Sequence, residues 1–271
     1  MRVGDSIKII TSHPNPLIKW VNELKTAGKG SGDKAYIYYP PYSFMAFVRG
    51  TIPLGEDSFK ISGATTNGVG SFSNSFLKRM GQGGLDALNF KSTYSDLLQG
   101  YHNDYTTDTI FYTYLSPTLD SINYWFLKKS INLYGEAFVK TIAYEKTGFG
   151  STDTGVAFIK DFWSKQGIEK SALNIIDGSG LSPANRVTTY ALVAVMQYAR
   201  KQTWFPSFYN ALPEMNGLTM KDGYISGVRS YTGYVKNKTG AEYTFSFIVN
   251  NFDGSAATVR EKIWKVLDIL K

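Results

Sequence analysis

The stretch Gly223-Tyr-Ile-Ser-Gly-Val-Arg-Ser-Tyr-Thr-Gly-Tyr-Val235, the link Lys236-Asn-Lys-Thr-Gly240 and the run Glu242-Tyr-Thr-Phe-Ser-Phe-Ile-Val-Asn250 decide the fold. Both flanks are rich in Tyr, Phe, Val, Ile and Thr, which fit a pleated, half-buried surface. The link carries Asn and Gly, the residues of a tight turn. The reading is two strands joined as a hairpin. After it, Ala256 to Lys271 places Val259, Ile263, Val266, Leu267 and Leu270 at helical spacing, an amphipathic closing helix. Before it, helical spacing runs over Leu119 to Ile142 as two helices meeting near Ser130, and again over Asp153 to Lys165 and Val187 to Lys201. Helices, then a hairpin, then a helix predict a mixed α/β chain of the α+β kind, an antiparallel sheet flanked by helices.

The first part of the chain reads differently. Short strands are expected at Ser6 to Ile10, Lys34 to Tyr39, Phe44 to Ile52 and Ser58 to Ile61, with Pro40-Pro41 stopping the second and Pro53-Leu-Gly55 turning the third. Pro16 to Thr26 has Leu17, Ile18, Val21 and Leu24 at helical spacing and ends at Gly28, so a helix is expected there. Gly28 to Asp33 is a glycine loop, and Ser73 to Arg79 starts a helix that Gly81, Gly83 and Gly84 break. The texture changes near residue 95, which divides the chain into a β-rich part, residues 1–92, and a helix-and-sheet part, residues 93–271. No internal repeat is present.

Composition narrows the chemistry. The chain has 271 residues, 43% hydrophobic and 15% aromatic, which suits a packed globular protein. No apolar run nears the roughly 20 residues of a membrane span. Met1 to Ile10 has mixed charge and no apolar stretch of signal length, so a leader for export is expected to lie outside this chain. There is no cysteine, which excludes disulfides, thiolate metal sites and cysteine nucleophiles. The two histidines, His13 and His102, lie in polar, turn-like surroundings, which argues against a Ser-His-Asp triad or a multi-histidine metal site. Acyl transfer here would take lysine as its base. The net charge of +7 comes from scattered Lys and Arg with no basic stripe, so no nucleic-acid partner is expected.

Three segments carry a resemblance. They are Leu115-Ser-Pro-Thr-Leu-Asp-Ser-Ile-Asn-Tyr-Trp-Phe-Leu-Lys-Lys-Ser-Ile-Asn-Leu-Tyr-Gly-Glu136; Asp177-Gly-Ser-Gly-Leu-Ser182 with Asn185-Arg186; and Lys221-Asp-Gly-Tyr-Ile-Ser-Gly-Val-Arg-Ser-Tyr-Thr-Gly-Tyr234. Together they resemble the C-terminal half of the class C low-molecular-mass penicillin-binding proteins, the S13 family of serine D-Ala-D-Ala carboxypeptidases. The stretch from Gly30 to Ile61 resembles that family's inserted domain. The resemblance implies a penicillin-binding-protein/β-lactamase-like transpeptidase fold, incomplete at the N-terminus, with residues 1–92 as part of an inserted domain. It implies a periplasmic or cell-envelope parent protein that acts on peptidoglycan peptides by acyl-enzyme chemistry, is acylated by β-lactams, and needs no metal or organic cofactor.

That chemistry rests on three motifs in the family: Ser-x-x-Lys, Ser-x-Asn and Lys-Thr/Ser-Gly. The second is Ser130-Ile-Asn132, where Ser130 would relay a proton to the leaving amine and Asn132 would hold the substrate carbonyl. Ser130 also suits a plain helix N-cap. For the third, Lys238-Thr-Gly240 matches in letters but falls in the hairpin turn, whereas Lys221-Asp-Gly223 holds the family's place at the opening of a strand. Lys221 would then attract the substrate carboxylate, Gly223 would let the strand edge approach the substrate, and the Tyr224 N–H would serve a developing oxyanion. Asp222 departs from the family's hydroxyl, since a carboxylate repels another carboxylate; a neighbour must neutralise it, or the site no longer takes the usual substrate.

The first motif is not found in a suitable place. Ser31-Gly-Asp-Lys34 and Ser75-Phe-Leu-Lys78 match its spacing, but 24 Ser and 22 Lys in 271 residues give about two matches by chance. The family's own nucleophile precedes its inserted domain, which would put it upstream of Met1. Ser179 in Asp177-Gly-Ser-Gly-Leu-Ser182 reads as part of a tight turn rather than a nucleophile elbow, and Arg186 and Arg229 read as either ion-pair partners or substrate contacts. The expected activity is therefore a D-Ala-D-Ala carboxypeptidase or endopeptidase, inactive as this chain alone. The alternative is a degenerate homologue that binds peptidoglycan or a protein. Without a further strand beside Glu242 to Asn250, an open sheet edge is expected, with homodimerisation through it or poor solubility of the isolated chain.

Overall fold

A computed structural model of the chain describes residues 1–12, 18–40, 43–65, 68–83, 112–225 and 227–271. The chain forms two compact units, Met1–Phe111 and Tyr112–Lys271. The boundary expected between residues 92 and 93 lies outside the described residues. So do His13, His102, Gly84 and the first two residues of the helix expected from Pro16.

In the first unit three strands form one sheet: β1 (Lys19–Ala27), β2 (Lys34–Tyr38) and β3 (Met45–Pro53), in the order β1-β3-β2. β1 runs parallel to β3 over nine paired residues, Lys19 with Met45 through Ala27 with Pro53, while β2 is antiparallel to β3. β1 replaces the helix expected over Pro16 to Thr26. Its Leu24 and Thr26 are buried while Glu23 and Lys25 are exposed, a period of two rather than 3.6. The apolar spacing fitted a helix, but the long pairing with β3 outweighs that weak preference.

The inward face packs Leu24, Ala35 and Val48 with Ile7, Ile9, Trp20, Ile37, Ile52 and Ile61. Ile7, Ile9 and Ile61 therefore contribute side chains to the core, although the strands expected at Ser6 to Ile10 and Ser58 to Ile61 are not formed; only Ser6 makes an isolated bridge, to Lys25. Helix α1 spans Gly68–Gln82, longer at both ends than the Ser73–Arg79 segment, and it runs through Gly81.

The second unit opens with α2 (Leu119–Lys129) and α3 (Asn132–Thr147), which meet at Ser130 as expected, followed by α4 (Thr152–Lys165). A two-stranded ribbon, β4 (Leu173–Asn174) with β5 (Arg186–Val187), precedes α5 (Thr189–Arg200) and α6 (Phe205–Ala211). The main sheet is β6 (Glu214–Met215), β7 (Leu218–Ile225), β8 (Val228–Lys236) and β9 (Glu242–Asn250), antiparallel throughout and in that order. Helix α7 (Ala256–Ile269) closes it, burying Val259, Ile263 and Leu267. Val266, expected on the same apolar side, is exposed.

The single strand expected over Gly223 to Val235 is two. Ile225 pairs with Val228, and Gly227 between them has φ 76°, a left-handed conformation that glycine adopts without strain. A second tight hairpin precedes it: Met215 pairs with Leu218 across Asn216 and Gly217, both at positive φ, the signature of an Asn-Gly turn. Lys221 therefore lies in the middle of β7 rather than opening a strand.

One face of the main sheet, with Leu218, Met220, Tyr231, Val235 and Phe245, packs on Val259, Ile263 and Leu267 of α7. Tyr234, on the opposite face, packs with Met196 and Leu212 and is flanked by Leu127, Phe205 and Phe208. Its hydroxyl donates to the Met196 carbonyl at 2.7 Å, and burial pushes its pKa up to about 12.

Candidate active site

The α2–α3 junction is built locally. Thr118 caps α2 by accepting from the Ser121 N–H. Ser130 ends α2 as its C-cap, at φ 53° and ψ 48°, with its N–H donating to the Phe126 carbonyl. Ser130 is thus no N-cap: that position of α3 is Ile131, and no side chain caps it. A serine held in the left-handed region stores about 1 kcal/mol of strain, a cost found where a turn must aim a side chain. Ser130 and Asn132 are both exposed.

Two contacts hold this junction. The Lys128 ammonium donates to the carbonyls of Asn210, at 3.2 Å, and Leu212, at 2.8 Å, at the end of α6. On α3, Gly135 lies against Gly178, so close that a Cβ on Gly135 would run into the Gly178 carbonyl. One turn of α3 also carries Glu136, whose Oε1 accepts from the Gly178 and Ser179 N–H groups, each at 3.0 Å.

The Asp177–Ser182 segment is the tight turn its sequence predicts. The Asp177 carboxylate accepts from the N–H groups of Gly180 and Ser182, from the Asn185 amide and from the Ser179 hydroxyl. Burial opposes its ionisation, but the hydrogen bonds from Ser182, Asn185, Gly180 and Ser179 outweigh it and hold the carboxyl below its ordinary pKa. Ser179 is engaged with Asp177 and is no free nucleophile.

Lys221, Asp222, Gly223 and Tyr224 lie on β7. In an antiparallel pair, directly opposed residues share a face. Lys221 opposes Thr232, Gly223 opposes Ser230, and Thr219 opposes Tyr234. Lys221 and Gly223 therefore share the face on which Tyr234 meets α5, α6 and Leu127 of α2. Asp222 and Tyr224 oppose Tyr231 and Arg229 and lie on the α7 face.

The outer edge of β7 is paired only near its start. β6 covers Leu218 and Thr219, and the Met220 N–H donates to the Pro213 carbonyl at 3.0 Å. Backbone groups alternate along a strand, so the N–H groups of Asp222 and Tyr224 point the same way as that of Met220, toward an edge with no strand partner among the described residues. Leu212 and Pro213 are thus a shared anchor: one carbonyl receives Lys128, two residues before Ser130, and the next receives Met220, one residue before Lys221.

Asp222 is not left unbalanced. The Lys221 ammonium reaches its Oδ1 at 3.1 Å and its backbone carbonyl at 2.9 Å, and an Arg229 terminal nitrogen lies 3.8 Å from Oδ2. The Arg229 guanidinium sits 5.1 Å from the Tyr224 ring centre and 5.4 Å from that of Tyr231. Two cations against one carboxylate leave this cluster one positive charge in excess.

The remaining sequence candidates fall elsewhere. Lys238-Thr-Gly240 forms the β8–β9 turn, where the Asn237 carboxamide oxygen accepts from Thr239 and Ala241. Ser75 lies in α1 and gives its hydroxyl to the Ser71 carbonyl at 2.9 Å. Arg186 is exposed, in the β4–β5 ribbon. Sequence reasoning passed over Lys128, counted only as scattered charge; its place in the last turn of a helix was the available signal.

Comparison with known proteins decides the family. The model of the D-Ala-D-Ala carboxypeptidase 3 (S13) family matches residues 1–217. The chain belongs to this family. The matched span includes Ser130 and Asn132 and ends before Lys221. A D-alanyl-D-alanine carboxypeptidase of Actinomadura sp. (strain R39) is 29% identical over 180 residues, 59% of this chain and 33% of the relative. Penicillin binding protein 4 of Haemophilus influenzae, in complex with a β-lactam, superposes with a TM-score of 0.70 at 18% identity, over 94% of this chain and 61% of the other. A second structure of that protein gives 0.67 at 17%, over 94% and 59%. The fold is therefore that of a penicillin-binding protein, as expected, and the chain spans a third to three-fifths of the length of these relatives.

Proposed function

We propose that this S13 chain supplies half of an acyl-transfer site for peptidoglycan peptides ending in D-Ala-D-Ala. The observation that carries the reading is the open edge of β7, with outward N–H groups at Asp222 and Tyr224 beside a cluster holding excess positive charge. An extended peptide can add to such an edge as a further strand, and its terminal carboxylate is drawn to Lys221 and Arg229. The Tyr224 N–H then donates to the oxyanion of the attacked carbonyl. The Ser130 hydroxyl passes a proton to the leaving amine, and the Asn132 amide holds the substrate backbone. The common anchoring on Leu212–Pro213 supports placing the two groups of residues in one cleft.

The nucleophilic serine and its lysine base come from a Ser-x-x-Lys segment other than Ser31–Lys34 and Ser75–Lys78, because Ser31 sits in a loop and Ser75 spends its hydroxyl on its own helix. Fluorescent penicillin is the direct test. This chain alone is expected to take no covalent label, and a protein extended to include an upstream Ser-x-x-Lys is expected to take one label per molecule. Stoichiometric labelling of the chain alone would overturn the assignment of the nucleophile. The balanced charge of Asp222 weighs against a decayed site that only binds.

The same reading puts the protein at work in the cell envelope, where peptidoglycan is. No described helix is long and apolar enough to cross a membrane. β9 ends the main sheet, and its outer edge has no strand partner among the described residues. We propose that a second copy pairs along it, giving a two-fold dimer. Sedimentation velocity is expected to show that dimer; a monodisperse monomer at high protein concentration argues that the edge does not self-associate.

A further inference from the structure

The first unit carries a surface that the acyl-transfer reading does not use. One face of its sheet packs the core, where Ile37 meets the backbone at Gly63. The other face is set by register. Across the three strands in the order β1-β3-β2, its successive rows are Lys19–Met45, Val21–Phe47–Tyr38, Glu23–Arg49–Tyr36 and Lys25–Thr51–Lys34. Tyr36 is 61% exposed and Tyr38 50%. The Arg49 guanidinium lies over the rings of Phe47, 4.9 Å from its centre, and Tyr38, at 5.9 Å, and it pairs with Glu23. The rings of Tyr36 and Tyr38 stand 6.5 Å apart along one strand.

Tyrosine suits a strand, but an exposed row of rings with a cation laid across it and lysines at both ends is more than strand propensity requires. Flat rings with polar edges stack on the apolar faces of sugar rings while their hydroxyls stay in contact with water and sugar hydroxyls. Lys19, Lys25, Lys34 and Arg49 against Glu23 give this face three positive charges in excess. The complementary partner is a carbohydrate polymer that bears carboxylates at intervals.

We propose that this face binds the glycan strand of peptidoglycan, with Tyr36, Tyr38 and Phe47 against the sugars and the flanking lysines toward the carboxylates of the peptide stems. The proposal rests on the reading that the chain acts on peptidoglycan, and it adds a site separate from the one that handles the peptide end. Such a site keeps the enzyme on its insoluble polymer and raises the local concentration of stems.

The test is co-sedimentation of the whole chain with purified insoluble peptidoglycan. The wild-type chain is expected to bind, and an excess of a soluble D-Ala-D-Ala peptide is expected not to release it. Tyr36→Ser with Tyr38→Ser is expected to weaken binding at least about tenfold while the far-ultraviolet circular dichroism stays unchanged. If that variant fails to fold, Lys25→Gln with Lys34→Gln serves instead and is expected to weaken binding and flatten its dependence on salt. Full binding by a folded tyrosine variant, release by the soluble peptide, an unaltered salt dependence in the lysine variant, or tighter binding to a single-stranded oligonucleotide than to peptidoglycan would each overturn the proposal. A negative penicillin-labelling result with the extended protein would sink the acyl-transfer reading alone, because co-sedimentation needs no acylation.

Discussion

Replacing Gly135 by alanine is expected to destabilise the second unit by about 2–3 kcal/mol and to lower its melting temperature by roughly 5–10 °C. The sign is the informative part. In an open helix, Gly→Ala stabilises by about 1 kcal/mol, because alanine has less backbone freedom to lose. At Gly135 that gain competes with a backbone collision. A Cβ there meets the Gly178 carbonyl, and the Phe126 ring lies 3.1 Å away, so α3 must move off the Asp177 turn. The movement stretches the two hydrogen bonds that the Gly178 and Ser179 N–H groups donate to Glu136 Oε1. Overpacking against backbone exceeds the propensity gain, since a carbonyl cannot rotate aside as a side chain does. Differential scanning calorimetry of Gly135→Ala and Gly178→Ala checks the expectation. A variant as stable as the wild type would show that the α3 contact is loose and that the turn does not hold Ser130 and Asn132 in place.

In a protein that also contains the nucleophile segment, Lys221→Ala is expected to slow acylation by penicillin about 10²- to 10³-fold, the scale set by losing one charged or oxyanion-stabilising group in such a site. The change takes the Lys221–Asp222–Arg229 cluster from one excess positive charge to none, and it frees Asp222 to repel the carboxylate of the β-lactam. Asp222→Thr is expected to act in the opposite direction. Two carboxylates about 4 Å apart repel by roughly 4 kcal/mol at an effective dielectric near 20. Lys221 and Arg229 already cancel most of this, so the gain in affinity is about tenfold rather than a thousandfold. Stopped-flow acylation of the two variants separates the effects. Equal rates for Lys221→Ala and the unaltered protein would remove Lys221 from the site.

The second unit was legible where local chemistry and tertiary packing agree. The break at Ser130, the Asp177 turn, the β8–β9 hairpin with its Asn237–Gly240 link and the closing helix all follow from caps, turn residues and apolar spacing that act over a few residues. The first unit was less legible. Trp20, Val21 and Leu24 fit a helix or a strand about equally well, and β3, some twenty-five residues later, decides for the strand. Ile7 and Ile61 belong to a core without belonging to a ladder, which no periodicity can signal. On either side of β7, the pairs Asn216-Gly217 and Ser226-Gly227 are the sequence signs of two hairpins, and they place Lys221 in the middle of a strand rather than at its start.

By itself, the sequence determined the family, the mixed helix-and-sheet fold class, and the residue types available for acyl transfer, because each of these is set by composition or by motifs whose members are neighbours. Only the tertiary structure decided which face of β7 carries Lys221, that Leu212–Pro213 anchors both Lys128 and Met220, and that Arg229 shares the charge of Asp222. The first and last depend on the register of the β7–β8 hairpin, and the second on a contact between Lys128 and Leu212, far apart in the chain. A shift of one residue in register would send every side chain of β7 to the opposite face while leaving the sequence unchanged.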